Sequence, residues 1–403
     1  MISLEAAQQR VWSSVSVLSA RLVSFAETAG LVLADDVVAT ENVPPFANTA
    51  VDGFALHSAD VVVVPATLRV IGTVAAGDGT EWTLRRGEAL RIMTGAPMPA
   101  GADAVVMVEE CEVQGEQVIV RRGVGAGVAV RPVGDDVRMG DTVFRAGETL
   151  TAAGAGVLAS INARSVRAYP RARVALLSTG DELITDGSPL ARGQIRESNL
   201  TMLELLITAA NCEVTNYGVV KDDEAQLERT LREAAANHDA IVTSGGVSMG
   251  DFDVVKAVLS RIAEMQWMQM AIKPAKPFAF GLLASGDRRV PIFGLPGNPV
   301  SSMISFELLA RPALRKMMGH TTNLVRPSVR AVADQPLRRK PDGKLHFMRV
   351  FGQFAADGRL HVRDTGPQGS HQLAATAAAN ALAVVPDGNG IGVGEEVDVI
   401  LLA

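Results

Sequence analysis

Between Arg171 and Met318 the chain alternates short apolar runs with amphipathic stretches, and this alternation restricts the fold more than any other feature. RVALLS, CEVTNYGVV, DAIVTS, FAFGLL and VPIFGLP read as strands. NLTMLELLITAAN, DEAQLERTLREAAAN, DFDVVKAVLSRIAEM and PVSSMISFELLARPALRKMM read as helices. Repeated β-α units predict a mostly parallel sheet covered by helices on both faces. The flanking segments differ. Residues 46–130 carry β-branched runs (VVVV, TLRVIGTV, ALRIM, DAVVMVEE, QVIVRR) broken by Gly and Pro, which predicts a β-rich domain. Residues 325–403 return to short strands with turn signals such as DGK, ADG and PDGNGIG, and predict a small β-barrel or sandwich. Apolar residues at Leu4, Ala7, Val11, Val15, Leu18 and Leu22 predict a helix running from Leu4 to about Thr28, with a linking segment to residue 45. Residues 131–170 form a second linking segment with a helix over Thr151 to Ser160. The fold class is therefore α/β plus β, in several domains.

Charge and composition exclude several functions. With 38 Lys and Arg against 44 Asp and Glu, the net charge of −6 argues against nucleic-acid binding through bulk charge. An anionic ligand must be held by local groups. Cys111 and Cys212 are the only cysteines, too few for a disulfide framework or an unaided sulfur-ligated metal site. MISLEAAQQRVWSSV lacks an apolar signal core, and Thr151 to Ala163 is too short and Gly-rich to span a bilayer, so the expectation is a cytoplasmic protein with no membrane partner.

In an open α/β sheet, ligands bind beyond the carboxyl ends of the strands, near the point where strand order switches. Three such ends carry unusual loops. The first is Ser178-Thr179-Gly180 followed by Asp181 and Glu182, which a plain turn with a helix cap would also explain. The second is Ser244-Gly245-Gly246, leading through Ser248 to Asp251 and Asp253. Its glycines let backbone N–H groups approach an anion closely. The third is Leu295-Pro296-Gly297-Asn298-Pro299, a rigid turn into a helix. Between the last two, Lys273 and Lys276 each precede a proline, which suits binding of phosphate or another oxyanion. Together these describe one pocket for a phosphorylated ligand. The acids Asp181, Glu182, Asp222, Asp223, Asp251 and Asp253 offer oxygen ligands without Cys or His, a donor set that fits Mg²⁺, although Asp222 and Asp223 also suit a helix cap. The chain has no G-x-S-x-G, no Walker A motif and no G-x-G-x-x-G at a strand end. Catalysis by electrostatics and positioning, aided by a metal, is the chemistry that remains.

These loops, with PPFANTAVDGFAL, RIMTGAPMPAGADAVVMVEE, VRPVGDDVRMGD, IKPAKPFAFG and TGPQGSH, resemble the molybdopterin molybdenumtransferase family, which includes the E domain of gephyrin. The resemblance covers essentially the whole chain. It implies an elongated, four-part subunit in a homodimer, with the α/β molybdopterin-binding domain at 171–320. It implies insertion of molybdate into adenylylated molybdopterin, release of AMP and molybdenum cofactor, assistance by Mg²⁺, and contact with the molybdopterin adenylyltransferase. Carried over by motif, Asp52, Thr94, Asp136, Glu182, Asp223 and Asp253 are the catalytic set, with Asp223 and Asp253 as metal ligands. Thr179, Gly180, Ser244, Gly245, Gly246, Ser248, Lys273, Lys276, Pro296, Gly297, Asn298, Arg349 and Ser370 are the substrate-binding set. Ala47 and Val51 replace Asp and Met common in the family, and Gln269 stands where a basic residue is expected. The rival functions are a molybdopterin adenylyltransferase and a non-catalytic pterin-binding scaffold. The SGGVSMGDFD loop and the additional β domains favour the transferase over the first, and the intact acids and lysines favour it over the second.

Overall fold

A computed structural model describes residues 1–246 and 254–402. The chain divides into two compact units, one made of Leu22–Ala29 and Leu33–Ala168, the other of Met1–Arg21, Gly30–Val32 and everything from Tyr169 onward.

The chain opens with helix α1 (Leu4–Ser14), which belongs to the second unit. Ser3 caps it by accepting the N–H of Ala6, and Ala7 and Val11 are buried. The helix stops well short of the expected Thr28, and a strand (Arg21–Ser24) and a 3₁₀ turn (Phe25–Glu27) follow. The reason is local. Ser13 and Ser14 turn their hydroxyls back to the carbonyl of Arg10, at 3.2 and 2.8 Å, and Val15 and Val17 follow. Serine competition with the backbone and β-branching both disfavour a further turn.

The first unit is built on a six-stranded sheet of order β4-β1-β3-β2-β6-β5. Its strands are β1 (Gly53–Leu56), β2 (Ala66–Val74), β3 (Glu88–Ile92), β4 (Ala104–Met107), β5 (Cys111–Gln114) and β6 (Gln117–Val120). The VVVV run does not join it. Val61 is fully buried, but Val62 and Val63 stand about 80% exposed, at 78% and 81%. Pro65, which has no N–H for a ladder, follows directly. A second cluster in this unit packs Leu33, Val37 and Ala39 against Leu158 and Ile161 around helix α2 (Ala152–Ser160), which Thr151 caps through the N–H of Gly154.

The second unit holds the α/β sheet. Its strands are β7 (Arg173–Thr179), β8 (Glu213–Val220), β9 (Ala240–Ser244), β10 (Ala263–Gln269), β11 (Pro277–Ser285) and β12 (Arg288–Leu295), in the order β8-β7-β9-β12-β11-β10. All run one way except β11, which is antiparallel to both neighbours. Helices α3 (Asn199–Ala209), α4 (Glu224–Asn237) and α5 (Val254–Ile262) connect the strands. A continuous helical segment follows β12 as α6 (Pro299–Ser305), a π-helical turn (Phe306–Ala310) and α7 (Arg311–Met317). The expected helix through Met265 ends at Ile262, and β10 takes its place. Residues 263–269 alternate apolar and polar along a half-buried edge strand, but Met265 also continues the apolar spacing of Val258, Leu259 and Ile262, which reads as helix.

The last part is a closed five-stranded barrel, in which β13 (Ser328–Ala333), β14 (Leu345–Phe354), β15 (Leu360–Asp364), β16 (Ala381–Val385) and β17 (Glu396–Leu401) pair in the ring β14-β15-β13-β17-β16-β14. It is joined to the α/β part in two ways. Ile272–Lys273 pairs with β14 at Leu345 and His346, and Phe347 and Leu382 share one core with Phe280, Phe293 and Met317. On β15, His361 is held between Asp334 (Nδ1, 2.6 Å) and Asp357 (Nε2, 3.1 Å). These carboxylates, Asp334 first, raise its pKa above the ordinary 6.5. A raised folded value gives stability that is complete below the unfolded pKa and lost as pH rises through the folded one. His361→Gln is therefore expected to flatten the fall in unfolding midpoint that the wild type shows above about pH 6.5. Parallel curves for the two proteins in thermal melts would refute this. Among the described residues no helix is long and apolar enough to cross a membrane.

Candidate functional site

The chain leaves β7 to form β8 on one side, then crosses back to β9 on the other, so the switch in strand order falls between β7 and β9. A cavity of about 430 Å³ lies at their carboxyl ends. Thr179, Glu182, Ser244, Gly245, Gly246, Pro296, Gly297 and Asn298, all expected in the site, line it together with Ser178 and Asn199. The three loops meet because their strands are adjacent in register. Ser178 faces Ser244 and Ser244 faces Leu295. The N–H of Gly245 donates to the carbonyl of Leu295 at 3.0 Å, and the Ser178 hydroxyl reaches the carbonyl of Ser244 at 3.3 Å. Gly245 and Gly246 adopt φ of +94° and +71°, a left-handed geometry that favours glycine. A Cβ on Gly246 would fall 2.2 Å from that of Val255, so the backbone there lies directly on α5.

Of the described acids, Glu182 lines the cavity, while Asp181, Asp222 and Asp223 follow the carboxyl ends of β7 and β8. Gly180 is left-handed at φ +139°, and a Cβ there would lie 2.5 Å from the Glu182 carboxylate. The N–H of Asp222 donates to Asp181 at 3.3 Å, which brings the ends of β7 and β8 together. Asp223 caps α4, with Oδ1 accepting the N–H of Gln226 at 2.7 Å. Ser248, Asp251 and Asp253 lie outside the described residues. Among the described residues no group of three His, Cys, Asp or Glu gathers as a metal cage.

The lysines are placed differently. Lys273 and Lys276 are both exposed. Lys273 lines a separate cavity of about 380 Å³ with Arg338, Lys340, His346 and Gly369. The loop carrying the lysines is tied to α6, since the N–H of Ala275 donates to Ser301 Oγ at 3.3 Å. Ser370 reaches the same helix start, its carbonyl accepting the N–H of Val300 at 3.1 Å. Arg349 differs from its expected role as a substrate contact. Its side chain is fully buried. It donates to the carbonyls of Pro367 (2.7 Å), Gln368 (3.2 Å) and Gly369 (3.2 Å), so it shapes the loop that carries Ser370.

In the first unit, Asp52 immediately precedes β1. Its Oδ1 accepts both the N–H and the hydroxyl of Thr94, at 2.6 and 2.7 Å. These bonds, the hydroxyl first and then the N–H, with Arg91 adding a smaller attraction, lower its pKa below the usual 3.8. Asp136 is fixed through its backbone to the segment that leads into Asp52. Its N–H donates to Val43, while Thr49 accepts from Gly95 next to Thr94.

Two polar residues that sequence reasoning did not single out organise the α/β cavity. Glu197 accepts the N–H groups of Asn199 and Leu200 at the start of α3. Burial pushes its carboxyl up, against those two bonds and the Ser178 hydroxyl. Asn199 reaches across to the strand-end loops. Glu-Ser-Asn before an apolar helix reads as an ordinary cap, and nothing in that signal distinguishes a further role.

A glycine-lined cavity at the switch point of an α/β sheet, edged by Glu182 and with a five-stranded barrel attached, defines a ligand-binding α/β protein with appended β domains. Family patterns match along the chain: the MoeA N-terminal region (domain I and II) at residues 2–162, the probable molybdopterin binding domain at 175–316, and the MoeA C-terminal region (domain IV) at 330–402. The chain belongs to the MoeA family of molybdopterin molybdenumtransferases, transferases of molybdenum cofactor biosynthesis. It is 35% identical to the molybdopterin molybdenumtransferase of Haemophilus influenzae over 99% of this chain and 98% of that one. It is 37% identical to molybdopterin molybdenumtransferase 2 of Mycobacterium tuberculosis over 91% and 90%. Among solved structures, the molybdopterin biosynthesis MoeA protein of Pyrococcus horikoshii OT3 superposes with a TM-score of 0.79 at 28% identity, covering 100% of both chains.

Proposed function

We propose that this transferase inserts molybdate into adenylylated molybdopterin and releases AMP together with molybdenum cofactor. The observation that carries the reading is the convergence of Thr179, Ser244, Gly245, Gly246, Pro296, Gly297 and Asn298 on one cavity at the switch point. The protein is net acidic, yet the ligand is a polyanion, so binding must come from local groups. The glycine loops let backbone N–H groups approach the phosphate, while Thr179 and Ser244 offer hydroxyls. Lys273 and Lys276 are exposed cations on a loop tied to α6, suited to drawing in molybdate as substrate. The Ser370 loop, shaped by Arg349, borders the same helix start.

Glu182 and Asp223 offer carboxylate oxygens, a donor chemistry that suits Mg²⁺. In this reading Asp223 and Asp253 would hold the ion, with Glu182 as a further acid of the pocket. When bound, it supplies charge neutralisation at the phosphoanhydride and the departing AMP. Glu182 and Asp223 are positioned by the adjoining ends of β7 and β8. Asp52, kept ionised by Thr94, serves the same reaction as a fixed negative charge and hydrogen-bond acceptor. The same reading makes the protein a cytoplasmic homodimer that receives its substrate from the molybdopterin adenylyltransferase.

The test is AMP release from adenylylated molybdopterin by the purified protein, with and without molybdate and Mg²⁺. Release that requires both supports the proposal, and sedimentation of the same sample should show a dimer. Tight ligand binding without molybdate-dependent release would identify a pterin-binding scaffold instead. ATP-dependent adenylylation of molybdopterin would identify an adenylyltransferase.

A further inference from the structure

Asn199 is the first residue of α3 and only 7% exposed. Its side-chain amide forks between two loops of the cavity. Nδ2 donates to Ser244 Oγ at 2.8 Å and to the carbonyl of Gly297 at 2.7 Å. Its Oδ1 is buried and accepts no hydrogen bond among the described residues. Leaving a buried acceptor unpaired is costly. The side chain is therefore held in place by its two donor bonds and by its backbone. That backbone is well anchored. Glu197 takes the N–H groups of Asn199 and Leu200, and Leu200, Leu203 and Ile207 bury α3 against the sheet core.

The two loops need such a tie. β9 and β12 are adjacent, and their pairing ends at Ser244 and Leu295, where the N–H of Gly245 makes the last link. Beyond it Gly246 and Gly297 have no side chain with which to lock their backbone. A Cβ on Gly297 would still be 3.9 Å from the Cα of Gly245, so the loops run side by side without interlocking. We infer that Asn199 is a positioning residue: its amide sets the spacing between the Ser244–Gly246 and Pro296–Asn298 loops, and thereby the shape of the cavity that receives the phosphorylated pterin. The identity of that ligand rests on the proposed function; the tie between the loops does not.

Two substitutions separate the two arms of the fork. Asn199→Ala removes both. Asn199→Asp keeps the size and lets the Ser244 hydroxyl donate to the new carboxylate, but turns an acceptor toward the Gly297 carbonyl. Amide hydrogen exchange on the ligand-free full-length protein reads the loops directly. About tenfold faster exchange, the scale of one to two hydrogen bonds, is expected at residues 244–246 and at Gly297 and Asn298 in the alanine variant. In the aspartate variant it should be confined to Gly297 and Asn298. Both variants should melt within a few degrees of wild type, and both should bind free molybdopterin about tenfold more weakly. Unchanged exchange at Gly297 and Asn298 in both variants overturns the inference. Faster exchange with molybdopterin affinity intact overturns it too, because Asn199 would then be a structural tie only. If the wild type itself fails to bind molybdopterin, the proposed function falls, while the exchange pattern still decides whether Asn199 spaces the loops.

Discussion

Replacing Asp52 with alanine is expected to lower molybdate-dependent AMP release by about 10²–10³-fold, the usual cost of removing one preorganised electrostatic group from a reaction site. The fold should survive. Asp52 is exposed, and its carboxylate fills no core; among the described residues its side chain accepts hydrogen bonds only from Thr94. Asp52→Asn tests the charge separately, since it keeps the shape and should lose nearly as much rate. Thr94→Val supplies a further check with a defined sign. Thr94 is the main reason the Asp52 pKa lies below its ordinary value, so losing its hydroxyl should move that pKa upward. The acidic limb of the pH–rate profile should then shift to higher pH. Wild-type rates in Asp52→Ala at an unchanged melting temperature would remove Asp52 from the mechanism.

The largest expected effect on stability comes from its neighbour. Gly53 lies in β1, paired on one side with Met107 of β4 and on the other with Ile92 of β3. A Cβ there would sit 1.9 Å from the carbonyl oxygen of Val106 and 2.9 Å from its carbon. The obstacle is backbone in the adjoining strand, so no rotamer change relieves it, and only a break in the β1–β4 pairing can. Gly53→Ala should cost about 3 kcal/mol or more. For a unit of this size that lowers the thermal midpoint of the first unit by roughly 6–12 °C. Because the shift begins at the residue after Asp52, activity should fall below the melt as well. A midpoint within 2 °C of wild type, roughly the effect of under 1 kcal/mol, would show that the sheet accommodates the methyl group.

Much of this architecture is legible without coordinates. The β-α alternation from Arg171, the glycine-rich strand ends and the turn-punctuated C-terminal strands each follow from local periodicity and turn chemistry, which act over a few residues. The rule that ligands gather at a switch point then places Thr179, Ser244 and Gly297 in one cavity before their contacts are known. Local reasoning failed where two tendencies competed in the same segment. Apolar spacing carried α1 past Ser14, although Ser13 and Ser14 bond back to Arg10 and end it. The start of the half-buried edge strand β10 was absorbed into α5 because Met265 also fits the helical spacing of the residues before it.

The tertiary structure decided what is made by partners remote in the chain. Thr94 holds Asp52 across 42 positions, and Asn199 holds Gly297 across 98. The family resemblance makes Arg349 a substrate contact, yet folding encloses it and directs it onto the carbonyls of the Ser370 loop. Lys273, expected beside the glycine loops, faces a cavity shared with the barrel. The sequence by itself determined which segments become strands, helices and anion-friendly turns, because those preferences are local. Only the closed fold determined which polar side chains meet a ligand and which hold the site in shape. A buried donor is paired by whatever acceptor the packing brings to it, and that choice is written in no single stretch of residues.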